Sequence, residues 1–283
     1  MTLLDDSARA VLHEGRQLHV GVLTTTGPHV TPELYAVAAG DIWFATAATT
    51  LKRRVLRRDP RVGTIARVGS RTLVVNGTST QYDVADPLGL VAQARDGLRA
   101  LRAVGAFTMR NAADLGAFAR DLVQGQLPSR LPPRRVLVRL QPQSYALLDG
   151  TRLLSAGGSW SAASADDDPA TDPMDGDRDC VIGWDHEQLG VLTLPARLDG
   201  ETATAPAVLA RLGGMSDGAQ SSACVVTDDY TAAGPAAKRG RLLRGLATVR
   251  YEGALVRLEL AADRETTWTG AHTQTEERPA SIG

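Results

Sequence analysis

The chain has 283 residues, of which 43% are hydrophobic and 22% are charged, and it is long enough for two globular domains. Its net charge is −1, which disfavours binding along a nucleic acid. No apolar run approaches the roughly 18–20 residues that span a bilayer. Cys180 and Cys224 match no metal-binding or disulfide pattern, and the first fifteen residues are acidic and helix-like rather than a secretory signal. These features predict reduced thiols in a cytoplasmic protein without membrane or nucleic-acid partners.

The first half of the chain is predicted to be mostly antiparallel β-structure. It begins with an amphipathic helix over residues 3–17, in which Leu4, Ala8, Val11 and Leu12 share one face. Apolar or alternating runs bounded by turn residues then predict successive strands. These strands cover residues 19–27, 29–40, 41–47, 61–69, 71–84 and 135–150.

The segment ATAATTLKRRVLRRDPRVG, residues 45–63, carries six cationic side chains between Lys52 and Arg61. It predicts a short helix from Thr50 to Arg58, which ends before an Asp-Pro pair. The solvated back of this helix accounts for three of the arginines. These are Arg54, Arg57 and Arg58.

The start of this helix has the chemistry of an anion site. Backbone N–H groups of a first helical turn are free, and the helix dipole favours negative charge there. Thr49 and Thr50 add hydroxyl groups, Lys52 adds a point charge, and Arg53 adds a planar fork. The arrangement predicts binding of one terminal phosphate rather than a groove that follows a nucleic acid.

Residues 87–124 change to a helical period and are predicted as an insert outside the β pattern. A Pro-rich connector leads back to a strand. Residues 151–178 are largely small, acidic and rich in Gly and Pro, and they predict a flexible linker. The domain prediction is therefore residues 1–150, the linker, and a second β unit over residues 179–283.

Short sequences of the first half recur in the second half in the same order. The recurrences predict an internal duplication with an antiparallel β unit in each half. The alternative is chance recurrence among strands rich in Val, Thr and Gly. The paired segments are 21–24 with 190–193, 30–40 with 204–214, 63–68 with 222–227, 70–80 with 238–248, and 141–150 with 262–270. Between the second and third recurrences the second half carries only MSDGAQ, so the basic helix is predicted to occur once.

The run PHVTPELYAV followed by DIWFATAATTLKRRVLRRDPRV resembles the FMN-binding split β-barrel proteins of the pyridoxamine 5′-phosphate oxidase-like superfamily. The shared pattern is a Pro-His/Arg-x-x-Pro strand, a Phe/Tyr-x-Thr strand end, a Thr/Ser-x-Lys turn and an Asn/Asp-Pro-Arg-Val restart. The resemblance covers residues 8–84. It implies a mainly β (α+β) fold of two tandem split antiparallel β-barrels with short helices and a helical insert in the first.

The resemblance also implies site residues. In that family the Lys and the Ser/Thr of the turn bind the FMN phosphate, and these positions are Lys52 and Thr50 here. The strand-end Thr is Thr46. The first hairpin strand lies along the flavin ring, and its residues here are Val30, Thr31, Pro32 and Glu33. Relatives often place Arg where this chain has Leu51, and Arg53 is the candidate that compensates.

Members of the family are usually homodimers in which the partner chain completes each FMN site. A typical completing residue is a Trp near the end of the last strand, and ADRETTWTG places Trp268 there. The first half has no Trp at the corresponding position. The resemblance therefore implies one complete site in a fused pseudo-dimer, which is either monomeric or paired again as a homodimer.

Three functions remain open from the sequence. The first is an FMN-dependent oxidoreductase that acts on a small molecule. The second is a related split barrel that binds the deazaflavin F420 or haem, with His13, His186 and His272 as unanchored haem ligands. The third is a non-catalytic flavin-binding module whose insert binds a partner. No catalytic residue is identified, because the chain has no GxSxG, HExxH or paired-carboxylate motif.

Overall fold

The computed structural model describes residues 3–83, 94–125, 135–161, 179–229, 235–270 and 272–278. The elements of the first half are α1 (Asp6–Glu14), β1 (Leu18–Thr24), β2 (Gly27–Glu33), β3 (Tyr35–Ala38), β4 (Asp41–Ala47), α2 (Leu51–Arg58), β5 (Arg61–Val68), β6 (Arg71–Asp83), α3 (Ala94–Arg110), α4 (Ala112–Val123), β7 (Arg135–Asp149) and β8 (Arg152–Gly158). Those of the second half are β9 (Asp179–His186), β10 (Gly190–Asp199), β11 (Thr202–Pro206), α5 (Ala207–Leu212), β12 (Gln220–Asp229), a 3₁₀ turn (Pro235–Ala237), β13 (Arg239–Glu252), β14 (Leu255–Thr269) and β15 (His272–Glu277).

The predicted fold class is confirmed: the chain is mainly β, with an antiparallel sheet in each half. Within the described residues, the first sheet has the order β2-β1-β5-β6-β7-β4-β3, and β8 pairs with β7. Leu18, Val20 and Val22 point into its core from alternate positions of β1, as a period of two requires. The predicted apolar face of α1 packs into the same core.

The second sheet repeats the pairing pattern of the first. In the described part of the chain its order is β11-β10-β9-β12-β13-β14-β15, with a further pairing of β11 to β14. The equivalent strands are therefore β1 and β9, β2 and β10, β5 and β12, β6 and β13, and β7 and β14. The first predicted recurrence is wrong at the level of strands, because residues 21–24 lie in β1 and residues 190–193 lie in β10, the equivalent of β2. The second is wrong too, because residues 30–40 lie in β2 and β3, whereas residues 204–214 lie in β11 and α5.

The two sheets pack directly against each other along a seam. Val30, Ile65 and Leu148 of the first half belong to the same apolar cluster as Ile182 and Leu192 of the second. Glycines permit this approach: a Cβ on Gly63 would lie 2.3 Å from the carbonyl oxygen of Val191. Because buried residues of both halves pack into one cluster, the seam is part of the hydrophobic core.

Two further predictions need correction. Residues 152–158, assigned to the linker, form β8 and extend the first sheet, and the part of the linker that follows Ser161 lies outside the described residues. The second half also has a helix between β11 and β12, as α2 stands between β4 and β5; this helix, α5, lies within the second recurrence, and MSDGAQ, residues 215–220, follows it. Pro206 precedes α5 and makes no side-chain cap, so the equivalent of the basic helix is present but apolar and uncapped.

The predicted insert is helical where it is described, as α3 and α4; residues 87–93 lie outside the described part. Arg110 anchors it to the first half, where its guanidinium donates to the Leu12 carbonyl at 2.8 Å and lies 4.6 Å from the Tyr35 ring centroid. On the second half, Asp121 accepts from the backbone N–H of Ala236 at 3.1 Å. The insert therefore contacts both halves. None of the helices in the described residues is both long and apolar enough to cross a membrane.

Candidate functional site

Thr50 starts α2 in the way the sequence predicts. Its φ and ψ are extended, and its Oγ1 accepts the N–H of Arg53 at 3.4 Å, so it caps the helix. The same hydroxyl donates to the Ala47 carbonyl at 2.9 Å and lies 2.9 Å from Thr46 Oγ1. The strand-end Thr and the helix cap are thus joined into one turn. The three arginines at the back of α2 are exposed, as expected for a solvated face.

Lys52 is the most buried cation of the basic segment, with 4% of its surface exposed. Its ammonium group donates hydrogen bonds to the carboxylate of Glu33 and the hydroxyl of Thr31, both on β2, and lies 5.9 Å from the Phe44 ring centroid. A buried ammonium group needs such partners because desolvation of an unpaired charge is costly. The structure therefore brings Lys52, Thr31 and Glu33 together.

Arg53 turns away from Lys52. Its guanidinium donates to the Ala48 carbonyl at 2.9 Å and lies 3.7 Å from the Asp83 carboxylate, while its backbone carbonyl accepts from Gln81. These contacts stabilise the turn before α2. Arg53 is thus placed beside the predicted phosphate turn but not beside the ammonium group of Lys52.

Val30 and Pro32 lie on the opposite face of β2 from Thr31 and Glu33. The Val30 side chain is buried in the seam, and its backbone hydrogen-bonds the buried thiol of Cys224 in the second half. Burial raises the pKa of Cys224 to about 11, so this thiol is protonated and does not act as a nucleophile at neutral pH. Pro32 is paired with His19 on β1.

Arg244, on β13 of the second half, reaches across the seam to His29 on β2, where its guanidinium hydrogen-bonds His29 Nδ1. Burial, followed by the charges of Arg244 and Lys52, lowers the pKa of His29 to about 3. The ring is therefore neutral at pH 7, and since a guanidinium can only donate, Nδ1 accepts and Nε2 carries the proton. The Nε of Arg244 is buried and has no hydrogen-bond partner among the described residues.

Trp268 lies on the seam-facing side of the second sheet. It is paired with Gly240, which is paired in turn with Asp228, and directly paired residues point to the same face. The Asp228 carboxylate contacts His19 of the first half at 2.7 Å. A Cβ on Gly240 would lie 1.9 Å from the indole of Trp268, so the ring lies flat on the glycine. Trp268 is only partly buried.

Lys238 lies close to this face, 3.8 Å from the Asp114 carboxylate of α4. Burial lowers its pKa, and the charges of Asp114, Asp228 and Glu33 act in the opposite direction. The insert thus contributes the carboxylate of Asp114 to the same end of the seam. Arg244, Lys238 and Asp114 were not identified from the sequence, because they lie far from β2 along the chain and only the tertiary fold brings them to the seam.

A cleft of about 670 Å³ opens on the seam beside the His19–Asp228 contact. Burial alone would raise the pKa of Asp228, but hydrogen bonds from His19 and Gln17 outweigh it and hold the pKa below its ordinary value. The carboxylate is thus ionised and joins the two halves. Residues of both halves line the cleft, among them Arg16, Arg67 and Val181.

His186 is not placed as a haem ligand. Its Nε2 lies 2.5 Å from the Gly213 carbonyl, and its Nδ1 accepts the backbone N–H groups of Gln188 and Leu189 at 3.1 Å. Both ring nitrogens are therefore engaged with the backbone. His13 and His272 are exposed. In the described ranges, no three or more His, Cys, Asp or Glu side chains come together to hold a metal.

No family model matches this chain, and no curated protein matches it either. Solved structures are similar to it over about half of its length. A pyridoxamine 5′-phosphate oxidase-related, FMN-binding protein from Nostoc punctiforme is 15% identical, covers 53% of this chain and 87% of its own, and has a TM-score of 0.37. An FAD-binding protein from Mesorhizobium loti is 17% identical, with coverages of 51% and 94% and a TM-score of 0.38. A conserved hypothetical protein from Mycobacterium tuberculosis is 23% identical, with coverages of 52% and 87% and a TM-score of 0.37. Proteins named for FMN or FAD binding are thus among the structures that this chain is similar to.

Proposed function

We propose that the chain binds one flavin, FMN, at the seam between its halves and acts as an oxidoreductase on a small molecule. The observation that carries the proposal is the buried Lys52 at the start of α2, whose ammonium group faces β2 and hydrogen-bonds Thr31 and Glu33. A buried cation at the start of a helix, beside an edge strand at the seam, is the arrangement expected for the phosphate of an anionic cofactor.

The residues of the seam fit a flavin in two further respects. The indole of Trp268 lies flat on Gly240 and leaves a partly exposed aromatic face, which suits stacking on a planar ring. Thr50 and Thr46 supply hydroxyl groups at a helix N-terminus, where a phosphate is stabilised.

The roles proposed for the chain follow from these positions. Lys52, Thr50 and Thr46 hold the phosphate, while Arg53 keeps the turn in shape. The backbone of β2 from Val30 to Glu33 lies along the ring, and Trp268 covers its other side. A bound flavin supplies hydride or electron transfer, and the protein supplies position and hydrogen bonds.

The repeated pairing order supports two related proposals. One is that the halves arose by internal duplication, and the other is that the fused pseudo-dimer is sufficient as a monomer. The thiols of Cys180 and Cys224 are buried, which agrees with a reducing compartment such as the cytoplasm.

The experiment that tests the proposal is a flavin titration of wild type and Lys52→Ala, followed by fluorescence quenching. Removing a charge-assisted contact to phosphate costs about 1.5–3 kcal/mol, so the FMN dissociation constant is expected to rise by about tenfold or more. Riboflavin, which has no phosphate, is expected to bind both proteins equally. Arg57→Ala, on the exposed back of α2, is the matched control and is expected to bind FMN as wild type does.

Lys52→Ala also leaves Glu33 without its cation, so the double variant Lys52→Met/Glu33→Gln separates loss of binding from loss of folding. A folded double variant that binds FMN as tightly as Glu33→Gln alone would exclude the phosphate role of Lys52. A wild-type protein that takes up neither FMN nor riboflavin would refute the flavin proposal as a whole, and uptake of F420 or haem instead would replace it.

A further inference from the structure

Two arginines lie side by side on the seam-facing side of the second sheet. Arg244 on β13 is directly paired with Arg264 on β14, and Arg244 is also paired with the buried Cys224 on β12. Paired residues share a face, so both guanidinium groups emerge on the side where Cys224 contacts Val30. That face is the one that meets β2.

Like charges placed directly opposite each other in a sheet are destabilising unless an opposite charge lies between them. Arg244 hydrogen-bonds only the neutral ring of His29 among the described residues, and burial together with Arg264 lowers its pKa. Arg264 has a single carboxylate nearby, that of Glu277 at 3.9 Å, which is almost fully exposed. The negative charge of Asp263 acts to raise the pKa of Arg244, but its carboxylate forms no hydrogen bond with Arg244 in the described structure.

A second arginine pair on the same two strands provides a contrast. Arg250 is paired with Arg257, where Glu252 accepts a hydrogen bond from Arg257 at 3.0 Å and solvent screens both charges. That pair already has its counter-ion. The pair at the seam is half-buried and, in the part of the chain that the structure describes, has no counter-ion within hydrogen-bond distance.

The equivalent position of the first half is neutral. β6 and β13 each have a register shift, between Asn76 and Gly77 in one and between Arg244 and Gly245 in the other. Asn76 is paired with Ser144 just as Arg244 is paired with Arg264. Two buried neutral residues thus occupy the place that two arginines take on the other side, so the charged pair belongs to one side of the seam only. Bulges of this kind often re-aim side chains beside functional sites.

We propose that Arg244 and Arg264 form a second anion subsite, which binds a carboxylate or phosphate group of the substrate. It is separate from the cofactor phosphate at Lys52, and His29 adds a neutral Nε2–H donor. The role of this subsite in binding substrate rests on the proposed flavin function, whereas its ability to bind an anion does not. It implies that the substrate is an anionic small molecule held across the seam by residues of both halves.

Calorimetric titration with inorganic phosphate tests the subsite, on protein as purified and on protein saturated with FMN. With FMN bound, Arg244→Gln and Arg264→Gln are each expected to weaken phosphate binding tenfold or more. Arg250→Gln, from the exposed pair, is expected to stay within twofold of wild type. Arg244→Lys keeps the charge and is expected to recover part of the affinity, which shows that the loss in Arg244→Gln is not a folding defect.

The FMN affinity of Arg244→Gln is expected to stay within threefold of wild type. A tenfold loss of FMN with unchanged riboflavin binding would assign the arginines to the cofactor phosphate and overturn the separate subsite. Phosphate binding that is unaffected in both glutamine variants would also overturn it. If wild type takes up no flavin but binds phosphate through the two arginines, the proposed flavin function fails while the anion subsite stands.

Discussion

Glu33 occupies the place beside Lys52 that a phosphate group is proposed to take. Its carboxylate accepts a hydrogen bond from the buried ammonium group, so the charge of Lys52 is already compensated within the protein. A bound phosphate must either displace this carboxylate or share the lysine with it, at the cost of repulsion between two negative groups. Glu33 therefore lowers the affinity of the site for any anion.

Replacing Glu33 with Gln is expected to tighten FMN binding by about tenfold, because the amide keeps a hydrogen-bond acceptor but not the competing charge. The measurement is a fluorescence titration with FMN and with riboflavin, whose affinity is expected to change little. Glu14→Gln, which removes an exposed carboxylate paired with Arg71, is the control. Weaker FMN binding in Glu33→Gln would show that the carboxylate supports the site rather than competing for it.

His29 makes the stability of the seam depend on pH. Its pKa is about 3 in the folded protein and about 6.5 when unfolded, so below pH 6.5 the unfolded chain binds the proton first. The contribution of His29 to the free energy of unfolding is therefore complete above pH 6.5. It is lost as the pH falls towards 3, by at most about 1.4 kcal/mol per pH unit.

His29→Gln keeps an acceptor for Arg244 but does not titrate. Denaturant unfolding at pH 7 and pH 5 is expected to show a smaller loss of stability in the variant than in wild type. The measurements do not go below pH 5, because paired carboxylates, such as that of Asp228, titrate at lower pH. Equal losses in the two proteins would contradict the buried, neutral state of His29.

At the scale of elements, the seam depends on close contact between β5 and β10. A Cβ on Gly63 would meet the carbonyl oxygen of Val191 at 2.3 Å, and a backbone atom cannot move aside as a flexible side chain can. Gly63→Ala is therefore expected to destabilise the protein by about 1–3 kcal/mol through overpacking.

Gly105 provides the matched control, because it lies inside α3 and a Cβ there would meet nothing within 4 Å. Gly105→Ala is expected to stabilise the protein by about 0.5–1 kcal/mol, since glycine costs conformational entropy in a helix. Chemical unfolding of both variants measures the difference. Equal effects of the two substitutions would show that the halves do not pack as closely as described.

The sequence predicted elements best where the signal is local. The face of α1, the short helix that ends at Arg58 and the turns between the first strands follow from residues a few positions apart, and the structure shows them as expected. β8 was missed because its sequence, RLLSAGG, is small and polar enough to resemble a linker. The recurrence at residues 190–193 was misplaced because short runs of Gly, Val and Thr fit any strand.

The sequence predicted most of the candidate site on the side of the first half. Lys52, Thr31 and Glu33 come together through α2 and β2, which are close in sequence. From the second half only Trp268 was predicted, through the family resemblance. Arg244 reaches His29 across 215 positions, and nothing in a single sequence fixes the register that brings these two residues together. The charged residues of the second half therefore had to come from the structure.

At the scale of the whole molecule, the two sides of the seam are not equivalent. Val30 on β2 is paired with Gly21, and Thr193 on β10 is paired with Gly183. Both glycines lie at the seam, so Val30 and Thr193 occupy corresponding positions. By the same register Thr31 and Glu33 correspond to Leu194 and Ala196, which are buried and apolar. These two residues form no equivalent of the cluster around Lys52, and α5 has no side-chain cap.

The chain is therefore expected to bind one flavin and not two. Saturation with FMN, removal of the excess, and absorbance of flavin and protein give the ratio directly, and size-exclusion chromatography gives the number of chains per particle. A ratio near one per chain is expected. A ratio near two would mean that the apolar side also binds the cofactor.

The position of β2 at the margin of its sheet has a consequence for solubility. Within the described residues it pairs with β1 alone, so a row of backbone groups faces outward, which is the geometry that recruits strands from other molecules. Pro28 and Pro32 have no N–H group to offer, and the backbone of Val30 between them is engaged with Cys224. An edge that accepts hydrogen bonds but scarcely donates them is a poor template for another strand. The same prolines that shape this strand therefore protect the protein from edge-to-edge aggregation.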